Sequence, residues 1–425
     1  MLKRLDLRGH GCDVEHLLPA PQDPGSNVAE AVSEIIADVR VRGDQALLDL
    51  TKRFDRVDLV IIRVADADIA AAVARVDPTI LAALEVAYAN IYAYHADEAA
   101  SPSPHVTDGV VVTHRDVPVE RAGCYAPGGL ARYPSSVLMC AAPAHVAGVQ
   151  EVILCVPPTP SGAIDDVTLA AAHVAGIDEV YAIGGAQAIA AMALGTQSIR
   201  AVDVIVGPGN SYVAEAKRQL NGIVGVASSF AGPSEIAVIA DHTTPPTYAA
   251  IDLMVQAEHG PDGMAWLITS DEDVAVAVEE ELAKMVAASP RKALLESTLT
   301  SQGVSCLVDS REAAMAVSNL VAPEHLELLV EHYDDLLVNL RAAGAVFCGL
   351  DAPASLGDYA AGPNHILPTN RSARFSSALR ADDFRRHIHV VEVSRSGFER
   401  LAPTVMTLAQ AEGLIAHVDS VRLRS

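Results

Sequence analysis

From Glu151 onward the chain repeats one unit. "EVILCVPP", "EVYAIGG" and "VDVIVGPGN" are short apolar runs rich in branched residues and closed by Gly or Pro. Each is followed by a helical run: "DVTLAAAHVAGI", "AQAIAAMALG" and "SYVAEAKRQL". The beat returns with the strands "EIAVIAD", "MAWLITS", "VSCLVD" and "AVFCGL", separated by helices such as "TYAAIDLMVQAEH" and "REAAMAVSNLVA". Apolar runs of this length bounded by turn residues read as strands buried on both faces, and parallel strands joined by right-handed helical crossovers satisfy that demand. The expected fold class is α/β, with two Rossmann-like lobes facing a cleft and a non-standard dinucleotide site.

The flanks differ. Residues 1–26 end in "PAPQDPGS" and read as an arm. The stretch from Asn27 to about His95 is helical by its three- and four-residue spacing, and "GVVVTHRDVPVERAGCYAPGG" alternates like strands. The expected organisation is an arm at 1–26, a first lobe from 27–120 with 236–372, a second lobe at 121–235, and a helical C-terminal extension at 373–425.

Bulk chemistry narrows the partners. A net charge of −24 repels phosphate backbones and anionic lipid, and 4% aromatics leaves little to stack on bases. No C-x-x-C pair occurs, so the six cysteines read as free thiols in a reducing compartment. "MLKRLDLRGH" has no apolar leader segment. A cytoplasmic enzyme or ligand-capturing protein, free of nucleic acid and membrane, is expected.

Three turns after strands carry glycine: "YAPGG" at Tyr125, "IGGAQAI" with Gln187, and "VGPGN" ending at Asn210. Glycine lets backbone approach a ligand, and a following helix start favours an anion. None is G-x-G-x-x-G, so a dinucleotide would sit in an unusual way. "DLMVQAEHG" sets Gln256 and His259 three apart on a helix, the spacing of a bidentate metal clamp or of a satisfied helix-end histidine. "SLGDYAAGPNHILPT" adds Asp358 and His365 in a Gly/Pro-rich loop, and "AEGLIAH" adds Glu412 and His417. Together they suit zinc or another first-row divalent ion. In "AGPSEIAVIAD", Ser234 and Glu235 read as a turn and an edge residue, or as a hydroxyl on a cleft wall. "APEHLELLV" reads as helical and places Glu324 beside His325, an acid/base pair.

In this order "GCYAPGG", "YPSSVLM", "GGAQAIAAMALGT", "VGPGNSYVAEAK", "AGPSEIAVIAD", "DLMVQAEHG", "PEHLEL", "SLGDYAAGPNHILPT" and "AEGLIAH" resemble the histidinol dehydrogenase family. The resemblance implies oxidation of L-histidinol to L-histidine through an aldehyde, with two NAD and one zinc per subunit, the last step of histidine biosynthesis. It implies Glu324 and His325 as catalytic residues, and Gln256, His259, Asp358 and His417 as metal ligands. Ser234, Gln256, His259, His325, Asp358, Glu412 and His417 match substrate-contacting positions, and Tyr125, Gln187 and Asn210 match NAD-contacting ones. It also implies a homodimer in which His417 reaches the partner's site. Relatives of the same fold oxidise other small polar alcohols, such as sulfonated diols, and such a substrate is the alternative.

Overall fold

The structure, a computed structural model, describes residues 1–19, 28–98, 103–128, 132–227, 232, 234–258, 260 and 263–425. His259, one of the implied metal ligands, lies outside the described residues.

Strand β1 (Lys3–Asp6) opens the chain, and four helices follow: α1 (Val28–Arg42), α2 (Asp44–Phe54), α3 (Asp66–Arg75) and α4 (Pro78–Glu98). Next come β2 (His105–Thr107) and β3 (Val110–Pro118). The first strand–helix block is β4 (Arg121–Tyr125), α5 (Pro134–Ala147), β5 (Glu151–Val156), α6 (Asp166–Val174), β6 (Glu179–Ala182), α7 (Gly185–Leu194), β7 (Val204–Val206), α8 (Ser211–Leu220) and β8 (Gly225–Val226). The second is β9 (Glu235–Ala240), α9 (Pro246–Ala257), β10 (Met264–Thr269), α10 (Glu272–Ala288), α11 (Lys292–Gln302), β11 (Gly303–Leu307), α12 (Arg311–Val321), β12 (His325–Leu329), α13 (Asp334–Leu337), β13 (Ala345–Cys348) and α14 (Ala354–Tyr359). The chain closes with β14 (Arg385–Val393), α15 (Arg395–Ala411) and α16 (Ile415–Arg422).

Two parallel sheets result, as the strand–helix rhythm predicts. One has the order β1-β11-β10-β9-β12-β13, the other β6-β5-β4-β7-β8. A small antiparallel sheet, β14-β3-β2, stands apart from both. Among the described residues no helix is long and apolar enough to cross a membrane.

Four features depart from the sequence-based expectation. "APEHLELLV" is not helical: His325–Leu329 is the strand β12, buried between β9 and β13. Ala322 in the left-handed region (φ 48°) ends α12, and Pro323 follows it, so the apolar run starts a new element. The N-terminal arm supplies β1, the edge strand beside β11. The C-terminal extension is not all helical: it carries the strand β14 ahead of α15 and α16.

Fourth, the helices of 28–98 pack on the second sheet's lobe, not on the 236–372 lobe with which the sequence pattern groups them. α1 rests on α7 and α8, α3 on α6, and α4 on α5 and α6. The cause lies in the inner helices. α5 and α7 are rich in Ala and buried on nearly all sides, so they need an outer layer, and small side chains let it come close.

The arm is structural as well as connective. Leu7 is 1% exposed, packs in the core behind β11, and its N–H donates to the Leu307 carbonyl at 2.8 Å. Leu7→Ala is expected to cost about 2–5 kcal/mol, read as a lowered thermal midpoint. A peripheral arm would leave the midpoint unmoved.

Candidate active site

The two lobes present opposite ends of their sheets to one cleft. The second lobe offers the carboxyl ends of β4, β6 and β7, the usual ligand edge of an open α/β sheet. There Tyr125 Oη accepts from the Gly185 N–H at 3.0 Å. Asn210 Oδ1 caps α8, accepting from Tyr212 and Val213 N–H at 3.1 Å each. Gly207, at φ +111°, passes so close to β4 that a Cβ would stand 2.0 Å from the Tyr125 carbonyl oxygen. This contact brings two of the three glycine turns together at the point where chain order reverses across the sheet. Tyr125, Gln187 and Asn210 all line the resulting cavity of about 650 Å³.

The first lobe offers amino ends instead. Glu235 begins β9 and His325 begins β12, and the strands pair with His325 opposite Ile236. That register puts Glu324 next to Glu235. The Glu235 N–H donates to Glu324 Oε2 at 3.0 Å, and the Glu235 carbonyl lies 3.1 Å from His325 Nδ1. A carbonyl can only accept, so Nδ1 carries a hydrogen and Nε2 is the nitrogen turned to Asp358, 3.2 Å from Oδ1. Phe347 stacks on the imidazole with ring centres 6.0 Å apart. Gly357 of α14 lies flat on Phe347: a Cβ there would stand 2.5 Å from the ring, so glycine sets how near Asp358 comes.

The electrostatics follow from this crowding. Burial, opposed by the charge of His325, leaves Glu324 up at about 7. For His325 burial favours the neutral ring, yet Glu324, Asp358 and the Glu235 carbonyl outweigh it and hold the imidazole up at about 9. Burial and then the Glu324 charge push Glu235 up to about 8. Lys217 is buried in the cleft wall of the second lobe, donates to the Gly207 carbonyl, and is lowered to about 8 by burial.

The cleft between the lobes, about 680 Å³, is lined by Ser234, Glu258, Glu324, His325, Asp358 and His365 among others. His365 bridges the lobes. Its Nδ1–H donates to the Asp358 carbonyl at 2.8 Å, so Nε2 accepts from the Ser136 hydroxyl at 3.2 Å. Gln256 is fully buried behind His325, with its Nε2 3.3 Å from His325 Nδ1 and its Oε1 without a hydrogen-bond partner. An orphaned amide oxygen and the Asp358 carboxylate, on residues that both reach the His325 ring, are oxygen donors of the kind a divalent cation takes. Among the described residues, however, no three His, Cys, Asp or Glu side chains are grouped to hold a metal. Glu412 and His417 are exposed at the C-terminal helices and do not line the cleft of their own chain.

Glu235 and Lys217 are the site residues that motif reading passes over. Glu235 looks like a strand-edge residue because its partners come from β12 and from Asn370, whose N–H donates to Oε1 at 3.2 Å. Its elevated carboxyl has a stability consequence. The folded state holds this proton more tightly than the unfolded chain, whose carboxyl has its ordinary value of 4.5. The contribution is complete below that value and is lost as pH rises through about 8. The thermal midpoint of the metal-free chain should therefore fall between pH 5 and pH 9, and E235Q should flatten that fall. Calorimetry across this range reads both.

Comparison with known proteins identifies the family. The family model described as histidinol dehydrogenase matches residues 19–425. The histidinol dehydrogenase of Gluconobacter oxydans is 44% identical, covering 100% of this chain and 99% of its own length. That of Chlorobaculum tepidum is 46% identical over 92% of each chain. The crystal structure of histidinol dehydrogenase from Elizabethkingia anophelis superposes with a TM-score of 0.94 at 36% identity, covering 100% of this chain and 98% of that one. The chain belongs to the histidinol dehydrogenase family of oxidoreductases.

Proposed function

We propose that this chain oxidises L-histidinol to L-histidine through L-histidinal, the closing step of histidine biosynthesis, with two NAD as acceptors and one zinc ion per subunit. The observation that carries the reading is the junction of the two cavities. Pro127, Gly128, Tyr133 and Asn210 line both, so a nicotinamide seated against Tyr125 and Gln187 meets a substrate held beside Glu324 and His325. Gln256, His259, Asp358 and the partner subunit's His417 would hold a zinc ion, which would fix the substrate's amine and imidazole and draw the charge of Asp358 away from His325; oxidised nicotinamide would supply the hydride acceptor.

The chain's own groups account for the proton traffic. His325 Nδ1 is committed to the Glu235 carbonyl, so Nε2 is the working nitrogen: once it has given up the proton that Glu324 and Asp358 hold on the ring, it receives the alcohol proton as hydride leaves carbon. Glu324, raised to about 7, ionises near neutral pH and takes a proton from water as that water attacks the aldehyde. The hydrate then loses a second hydride, so one water and two oxidised nicotinamides are consumed per histidine. Adjacent bases suit two oxidations at one carbon. Ser234 and His365 stand on the cleft wall within reach of a small polar substrate, and Glu258 closes the same wall.

A second copy of the chain completes the set. Glu412 and His417 sit among exposed apolar side chains, including Leu408 at 60%, Ile415 at 59% and Leu423 at 85% exposure. Apolar surface on so slender an extension suits burial against a partner. The reading therefore includes a homodimer with shared sites.

Three outcomes are expected. Histidinol consumed to completion yields two reduced cofactors per molecule, read by absorbance; a yield of one would mean that the aldehyde is the product. E324Q and H325N each lower kcat by about 10²–10⁴-fold. Mixed dimers of inactive E324Q and inactive H417A chains regain part of the activity, whereas sites built from one chain would regain none.

A further inference from the structure

The elements that carry Gln256, His325 and Asp358 meet a second time, beneath the site. Asp252 stands one turn before Gln256 on α9, and Glu327 stands two residues beyond His325 on β12. Each therefore shares a face with its site residue. Glu327 is 0% and Asp252 7% exposed, and neither is among the residues lining the cleft. Their carboxyls face each other within hydrogen-bonding reach. Two carboxylates offer no hydrogen between them, so a bond there needs a proton on one.

Glu327 accounts for the rest of its own hydrogen bonding in a telling way. Oε2 faces no N–H or hydroxyl donor, and a proton on it, given to Asp252, completes it. Oε1 accepts the Ala354 N–H at 2.7 Å. Ala354 is the first residue of α14, whose N-cap is Pro353 with no side-chain cap. Glu327 thus supplies, from another element, the acceptor that the helix start lacks. Asp358 rides on that helix.

We propose that Asp252 and Glu327 are positioning residues: a carboxyl pair sharing one proton, which ties α9 and β12 to the first turn of α14 and sets Gln256, His325 and Asp358 relative to one another. That these three serve a metal-assisted oxidation rests on the function proposed above; the tie itself does not. Burial raises both carboxyls, Glu327 to about 9, in keeping with one proton retained at neutral pH. A pair that keeps one proton buries one charge instead of two, and so holds three elements together at less desolvation cost.

Substitution separates this tie from plain packing. E327Q keeps an acceptor for Ala354 and a donor for Asp252, whereas E327L keeps the volume and neither bond. Two measurements on the full chain read the difference: hydrogen–deuterium exchange at the amides of 354–359 without metal, and zinc affinity by competition with a chromophoric chelator. E327L should speed that exchange about tenfold or more and weaken zinc binding roughly 10–100-fold, with E327Q within about threefold of wild type in both. Wild-type exchange and affinity in E327L would overturn the tie, and damage in E327Q equal to that in E327L would overturn the shared proton. Should E327L not fold, D252A carries the test: Glu327 keeps Ala354 but loses its proton's acceptor, and unchanged exchange and affinity would overturn the proposal. A wild-type chain that binds no zinc would remove the metal reading, while exchange alone still decides the tie.

Discussion

The Glu235 carbonyl is an ordinary backbone group, yet the chemistry of the cleft turns on it. It belongs to the first residue of a buried strand, so its direction is set by the sheet and not by a side-chain rotamer. Because it accepts from His325 Nδ1, the ring's other nitrogen is the one turned toward Asp358. The same residue's N–H holds Glu324. The backbone of one residue thus orients both Glu324 and His325, and the pairing of β9 with β12 is the condition for it. A slip of one residue in that register would reverse the faces of β12 and turn His325 away.

Crowding then makes these groups chemically unusual. Parallel pairing sets Glu324 beside Glu235; burial raises both carboxyls, with the Glu324 charge adding to the rise of Glu235 and the Asp358 charge to that of Glu324. The imidazole between Glu324 and Asp358 is pulled the other way, toward holding its proton. A site assembled from amino ends of strands has no helix start aimed at its ligand, unlike the glycine turns of the second lobe. The division of labour follows: the lobe that presents carboxyl ends suits a phosphate-bearing cofactor, and the lobe that presents amino ends gathers acids and bases.

What the sequence makes legible is what is local. The strand–helix rhythm needs only neighbouring residues, and both parallel sheets follow from it. Gln256, Asp358 and the Glu324–His325 pair stand in recognisable stretches, and the other three meet around the His325 imidazole. "APEHLELLV" misleads because an apolar run of that length has no period that separates helix from strand, and the deciding residue is Ala322 in a left-handed turn. The allegiance of the helices at 28–98 is illegible for another reason: it depends on which Ala-rich helix lacks a neighbour. Glu235 and Asp252 acquire their roles across partners 75 or more residues away, from β9 to β12 and from α9 to β12, and Glu327 adds the start of α14 to its distant partner on α9.

That last group shows why buried acids need a different kind of reading from exposed motifs. A carboxyl in a strand interior is costly unless it is neutralised or fully hydrogen-bonded, so its presence within an apolar strand by itself implies a partner. Glu327 alternates with Leu326 and Leu328 in a strand buried at every position. Its neighbours pack on apolar side chains, whereas Glu327 meets Asp252 and the start of α14. The cost is tolerated where three elements must hold a fixed relation and apolar packing alone would let them slide. The polar pair beneath the site is the directional contact that Leu at the same position would not make.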